Sequence, residues 1–153
     1  PAVYKEDYEF EIGKAVTLRD GNHITIFASG SMVSVSLKAA DLLMEEGISS
    51  TVVNMHTIKP VDSSTIQKAS DSSELIVTVE EHSIIGGLGT AVAEVKTMFK
   101  NSPPQMMIGL PDQYDKGGEY QDILERHGLT SQLIAKRIAN KCKEFGIGTQ
   151  NNS

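Results

Sequence analysis

Two hydrophobic periods alternate along this chain. Residues 15–18 (AVTL) form a short apolar run of strand type, closed by the turn signal Asp20-Gly21-Asn22. Residues 23–28 (HITIFA), 51–55 (TVVNM), 75–79 (LIVTV) and 106–108 (MMI) are further short strand-like runs. Between them the spacing becomes helical. Ser29-Gly30-Ser31 opens a helix to about Glu46, in which Val33, Leu37, Ala40 and Met44 fall at i, i+4, i+7 and i+11, one buried stripe. Gly47 then stands where a helix C-terminus favours glycine. Leu88, Val92, Val95 and Phe99 repeat that spacing, and Pro103-Pro104 ends the region. Asp62 is placed to cap a short helix near 63–70 by accepting a first-turn N–H. Another short helix near 120–127 stops at Gly128. In the last helix Thr130 or Ser131 is the cap, Ile134, Ile138, Cys142 and Phe145 face the core, and Gly146 is the stop. His56-Thr57-Ile58-Lys59-Pro60 is a loop, because the residue before a proline avoids the helical region.

Strand and helix alternate from residue 23 onward, which predicts an α/β fold with a mostly parallel sheet covered by helices on both faces. The first strand has no crossover helix after it, so it is expected to run antiparallel or to lie at an edge. Residues 1–12 are acidic and aromatic without period, and read as a linker or a cut edge. Residues 13–146 form the expected domain, and 147–153 are expected to be a disordered tail.

Composition narrows the partners. A net charge of −6 without a Lys/Arg cluster argues against nucleic acid and anionic membrane surfaces. No apolar run is long enough to span a bilayer, and no charged-then-apolar start resembles a signal peptide. Cys142 is the one cysteine, which excludes an internal disulfide and suits a packing role. A reducing cytoplasm is the simplest setting.

The chemistry concentrates in three loops at the carboxyl ends of predicted strands, where open α/β sheets bind ligands. They are Ser29-Gly30-Ser31, the loop carrying His56 and Lys59, and the stretch from Glu80 to Gly89. The third lies within TVEEHSIIGGLGTAVAEV. Gly87-x-Gly89 matches the first two positions of a dinucleotide fingerprint, but the third falls on Val92, and no phosphate-loop lysine follows. Weak anion binding at a helix N-terminus is a milder reading of Gly87 and Gly89. An acid/base reading uses Glu80, Glu81 and His82 as a set, since imidazole titrates near neutrality. Neighbours on an extended chain point to opposite faces, so Glu80 and Glu81 line one pocket only if the strand has ended. The reading the residues favour is a corner, with glycines permitting a sharp turn and the glutamates capping helices or forming ion pairs. No metal-ligand spacing occurs, and no catalytic residue is assigned.

The runs IFASGSMVSVSLKAADLL, VVNMHTIKPVD and VTVEEHSIIGGLGTAVAEV, in this order and spacing, resemble the C-terminal domain of transketolases. The likeness covers residues 8–145 and is nearest to the C-terminal subunits of split transketolases. Deoxyxylulose-phosphate synthases and 2-oxo acid dehydrogenase beta subunits share this domain. Their loops more often carry glycine at the position of His82 and tend to lack the 54–60 run, which favours transketolase. The resemblance implies a three-layer α/β/α fold with a five-stranded sheet whose first strand is antiparallel. It implies a switch point between strands 23–28 and 75–79. It also implies two-carbon ketol transfer between sugar phosphates, with thiamine diphosphate and a divalent metal (Mg) bound by domains other than this one. The chain would then be inactive alone and support dimer assembly, as a homodimer or with an N-terminal subunit. A regulatory ligand site would involve Ser29, Gly30, Ser31, His56, Lys59, Glu81, His82, Gly87 and Gly89. The alternatives are a stand-alone regulatory domain binding anions or sugar phosphates, or the equivalent domain of one of the two related enzymes.

Overall fold

Ile26 and Phe27 are both fully buried, yet they belong to two different cores on opposite faces of one sheet. The computed structural model describes residues 11–111 and 118–148. Its five strands are β1 (Val16–Arg19), β2 (Ile24–Ala28), β3 (Ser50–Asn54), β4 (Leu75–Ser83) and β5 (Gln105–Leu110). They lie in the order β1-β3-β2-β4-β5. β1 is antiparallel to β3 at the edge, and all other pairings are parallel. The helices are α1 (Met32–Glu45), α2 (Ser63–Ser72), α3 (Leu88–Lys96), α4 (Tyr120–Arg126) and α5 (Ser131–Phe145). The expected three-layer α/β/α arrangement is present.

Strand periodicity sorts the core. Ile24, Ile26 and Ala28 of β2, with Leu75, Val77 and Val79 of β4, pack beneath α1, α4 and α5. Phe27 and Ile76 point the other way, toward α2 and α3. Because both faces are covered, the central strands are continuously apolar rather than alternating with polar residues. The chain passes from β2 to β3 on one side and then crosses to β4 on the other. The strand order therefore reverses between β2 and β4, where the ligand crevice of such sheets forms.

Several helix boundaries follow from single residues. Asp62 caps α2 by accepting the N–H of Thr65 at 3.0 Å. Thr130, not Ser131, caps α5, its hydroxyl accepting the N–H of Leu133 at 3.3 Å. Gly146 ends α5 in the left-handed region at φ 68°.

Four expectations need correction. The stripe of α1 runs through Met32, Ser36, Ala39 and Leu43 alongside Val33 and Ala40, while Met44 is exposed. Phe145 is also exposed, and the apolar contact at that end of α5 comes from Ile147. Ile147 is buried and donates its N–H to the Cys142 carbonyl at 2.8 Å, so the core extends past the expected boundary at 146. Finally, β4 does not stop at Val79 but continues through Glu80, Glu81 and His82 to Ser83. Most of the expected linker (1–10), the loop positions 112–117 and the end of the tail (149–153) lie outside the described residues.

Candidate functional site at the carboxyl end of the sheet

The extension of β4 decides where the two glutamates go. Glu80 follows Ile76 and Thr78 onto the α2/α3 face and is 1% exposed. Its carboxylate accepts the N–H groups of Leu88 and Gly89, at 2.9 and 2.8 Å, so it caps α3 from within. The glycines before α3 make this fit. A β-carbon at Gly87 would overlap the Glu80 carboxylate, and one at Gly89 would lie 2.9 Å from Thr78 Oγ1. Glu81 takes the opposite face, beside the start of α1, where its carboxylate accepts the Ser31 hydroxyl. The phenol of Tyr120, the first residue of α4, lies near enough to Ser31 and Glu81 for both to act on its pKa. Burial pushes the Tyr120 phenol above its usual pKa and the Glu81 carboxylate adds to this, against the opposing Ser31 hydrogen bond.

Parallel pairing brings the other loops to the same edge. The N–H of Ser29 reaches the Val79 carbonyl at 3.3 Å, and that of Met55 reaches the Ala28 carbonyl at 2.8 Å. Gly30 turns the chain into α1 with φ 57°. A cavity of about 590 Å³ opens here. Its polar lining includes Ser29, Ser31, Asn54, His56, Glu81 and His82, with Gly30 at the turn. Val33, Met55 and Ile58 supply an apolar surface. The His56 Nδ1 lies 3.0 Å from the Thr57 hydroxyl.

Six of the nine expected ligand residues thus meet in one cavity: Ser29, Gly30, Ser31, His56, Glu81 and His82. Lys59 and Gly87 line a neighbouring cleft of about 320 Å³ with Gly86, Thr90 and Glu94. Gly89 is buried, and its N–H is already held by Glu80. An external anion at this helix start would have to displace a buried carboxylate. Asn54 and Tyr120 enter the site without a sequence signal. Asn54 closes an apolar strand, and Tyr120 reaches Ser31 and Glu81 only through tertiary packing.

Among the described residues no group of three or more His, Cys, Asp or Glu side chains could hold a metal ion. With the α3 amides also taken, these residues do not fit the diphosphate–metal end of thiamine diphosphate. Nor is any helix among them long and apolar enough to cross a membrane.

The family model for the transketolase C-terminal domain matches residues 13–134. The chain belongs to the transketolase C-terminal domain family. It is 44% identical over 140 residues to a putative transketolase C-terminal section of Methanocaldococcus jannaschii, covering 92% of this chain and 43% of that protein. It is 38% identical over 136 residues to the 1-deoxy-D-xylulose-5-phosphate synthase of Caldanaerobacter subterraneus subsp. tengcongensis, covering 89% of this chain and 22% of that one. A solved split-gene transketolase, described as an inactive β4 tetramer, superposes with a TM-score of 0.85 at 36% identity, over 92% of this chain and 46% of that one. The chain therefore spans less than half the length of each of these proteins.

Proposed function

We propose that this chain is the C-terminal section of a split, thiamine diphosphate-dependent transketolase. The reaction of the complete enzyme is two-carbon ketol transfer between sugar phosphates. The observation that carries this reading is the match over 92% of the chain to a transketolase C-terminal section at 44% identity. The cofactor and its magnesium belong to domains other than this one. The section supports assembly of the enzyme, as a homodimer or with a separate N-terminal subunit, and works in the cytoplasm. The cavity beside Ser31 and Glu81 is its regulatory ligand site.

The test is reconstitution. The protein bearing this chain is assayed for magnesium- and thiamine diphosphate-dependent ketol transfer, with and without the partner section that holds the diphosphate-binding domain. Activity is expected only in the complete assembly. Saturable, magnesium-dependent titration of thiamine diphosphate by this chain alone would overturn the reading.

A second reading is the equivalent domain of a 1-deoxy-D-xylulose-5-phosphate synthase, favoured by the 38% identity to such an enzyme. The products separate the two. Ketol transfer from a sugar phosphate supports the first, and carbon dioxide released from a 2-oxo acid supports the second.

A further inference from the structure

We infer that the cavity at the carboxyl ends of β2, β3 and β4 takes a neutral, hydroxyl-rich ring, such as a pyranose, rather than an anion. This rests on reading that cavity as a ligand site, and it names the class of ligand.

The cavity has the volume of a small-molecule site, about 590 Å³. Its charge argues against an anion. No lysine or arginine is among its described lining residues, whereas the Glu81 carboxylate is. Lys59 lines the neighbouring cleft instead. The backbone donors at the helix starts of this end of the sheet are already occupied. At the start of α1, Met32 donates its N–H to the Ser29 carbonyl and Val33 donates to that of Gly30, both at 3.2 Å. At the start of α3, Glu80 holds the amides of Leu88 and Gly89. A phosphate here would meet a like charge with no lysine or arginine in the lining to offset it.

The Glu81 carboxylate is not waiting for a cation either, since it already accepts the Ser31 hydroxyl. The remaining lining suits hydroxyl groups. Serine hydroxyls, an asparagine amide and imidazoles both give and accept hydrogen bonds, as each hydroxyl of a sugar does. Val33, Met55 and Ile58 offer an apolar surface for the C–H face of such a ring. An open-chain phosphate ester could use the hydroxyl partners but has no such ring face, and its phosphate would find no lysine or arginine in the lining.

The experiment compares two probes that share a ring and differ in charge. Methyl β-glucopyranoside and glucose 6-phosphate are titrated at about pH 8 into the whole protein bearing this chain, with the methyl resonances of Val33, Met55 and Ile58 as the readout. The neutral glucoside is expected to shift these methyls saturably and to bind at least about fivefold more tightly than the phosphate ester, about 1 kcal/mol. Glu81→Gln, close in shape to the native side chain, is expected to bring that preference below about twofold. Equal or tighter binding of glucose 6-phosphate at the same methyls would overturn the neutral-ring assignment and leave the ligand site standing. If neither probe moves these methyls, both the site and its ligand class are overturned. A preference unchanged by Glu81→Gln would remove the charge argument and with it the proposal.

Discussion

Glu80 on β4 holds the backbone N–H groups of Leu88 and Gly89, at 2.9 and 2.8 Å, with its carboxylate almost fully buried. A strand residue therefore caps the helix that follows it. The carboxylate sits where the aligned peptide dipoles of α3 favour negative charge, and its bonds are charge-assisted. Gly87 leaves the space this carboxylate occupies. The glycine-rich run of this domain is built around an anion that the chain supplies itself.

Glu80→Gln is expected to destabilise the protein by about 2–3 kcal/mol, because an amide turns a donor toward at least one N–H and loses the charge. Gly87→Ala is expected to be destabilising in the native sequence and much less so beside Glu80→Ala. The coupling in that double-mutant cycle should reach about 1–2 kcal/mol in urea denaturation. Costs that simply add would mean the carboxylate and a β-carbon at Gly87 do not compete.

Gly89 is constrained by packing rather than by φ. A β-carbon there would stand 2.9 Å from Thr78 Oγ1 and 3.0 Å from Met107 Cγ and Sδ. The methionine is flexible, but Thr78 is β-branched and fully buried on the sheet. Gly89→Ala should cost about 1–3 kcal/mol, with Thr78→Ala recovering part of it in the double variant by thermal denaturation. Full recovery by Met107→Ala instead would assign the clash to the thioether.

The order of the elements was legible because strands and helices bury different periods. The opposite fates of Glu80 and Glu81 also follow from the two-residue period, once β4 is known to continue to Ser83. Its length was hidden because the apolar run stops at Val79, and a charge belongs in a buried strand only when a distant partner satisfies it. Glu80 finds that partner eight residues on, through the fold. The α1 stripe was misplaced because Leu42, Leu43 and Met44 are equally apolar, and only packing selects Leu43. Tyr120 was invisible in the sequence, since it comes near Ser31 and Glu81 only through the fold.

Asp62 joins the start of β1 to the start of α2. Its Oδ2 accepts the Ala15 N–H at 2.9 Å and the Thr65 hydroxyl at 2.8 Å, while Oδ1 accepts the Thr65 N–H at 3.0 Å. Burial pushes its pKa up, but these hydrogen bonds and the Lys14 ammonium outweigh burial and hold it below the usual value. Its stabilisation is therefore present above the ordinary aspartate pKa near 3.9 and is lost as pH falls through the lower folded value. Asp62→Ala should cost about 1–2 kcal/mol at neutral pH, and the gap to the native protein should narrow below about pH 4. Urea denaturation at neutral and acid pH checks this, and a gap constant down to about pH 2 would make charge irrelevant at this cap.

Cys142 makes the opposite use of burial. It lies on the core face of α5 with no exposed surface, and burial, aided by the Glu74 carboxylate, pushes its thiol pKa up to about 11. The folded state keeps this proton at a pH where the unfolded chain has released it. The contribution is complete below the ordinary thiol pKa near 8.5 and is lost as pH rises through the folded value, an effect on the order of 3 kcal/mol. Lys96 acts the other way, because burial holds its pKa down, but it is common to both proteins in a comparison with Cys142→Ala. The variant should be less stable by about 1 kcal/mol near neutral pH through lost packing, and the gap should close or reverse toward pH 11. Urea unfolding of both proteins at steps from about pH 8 to pH 11 measures that gap directly. A gap that stays constant over this range would put water at the sulfur, and the reading of Cys142 as a buried packing residue would have to be abandoned.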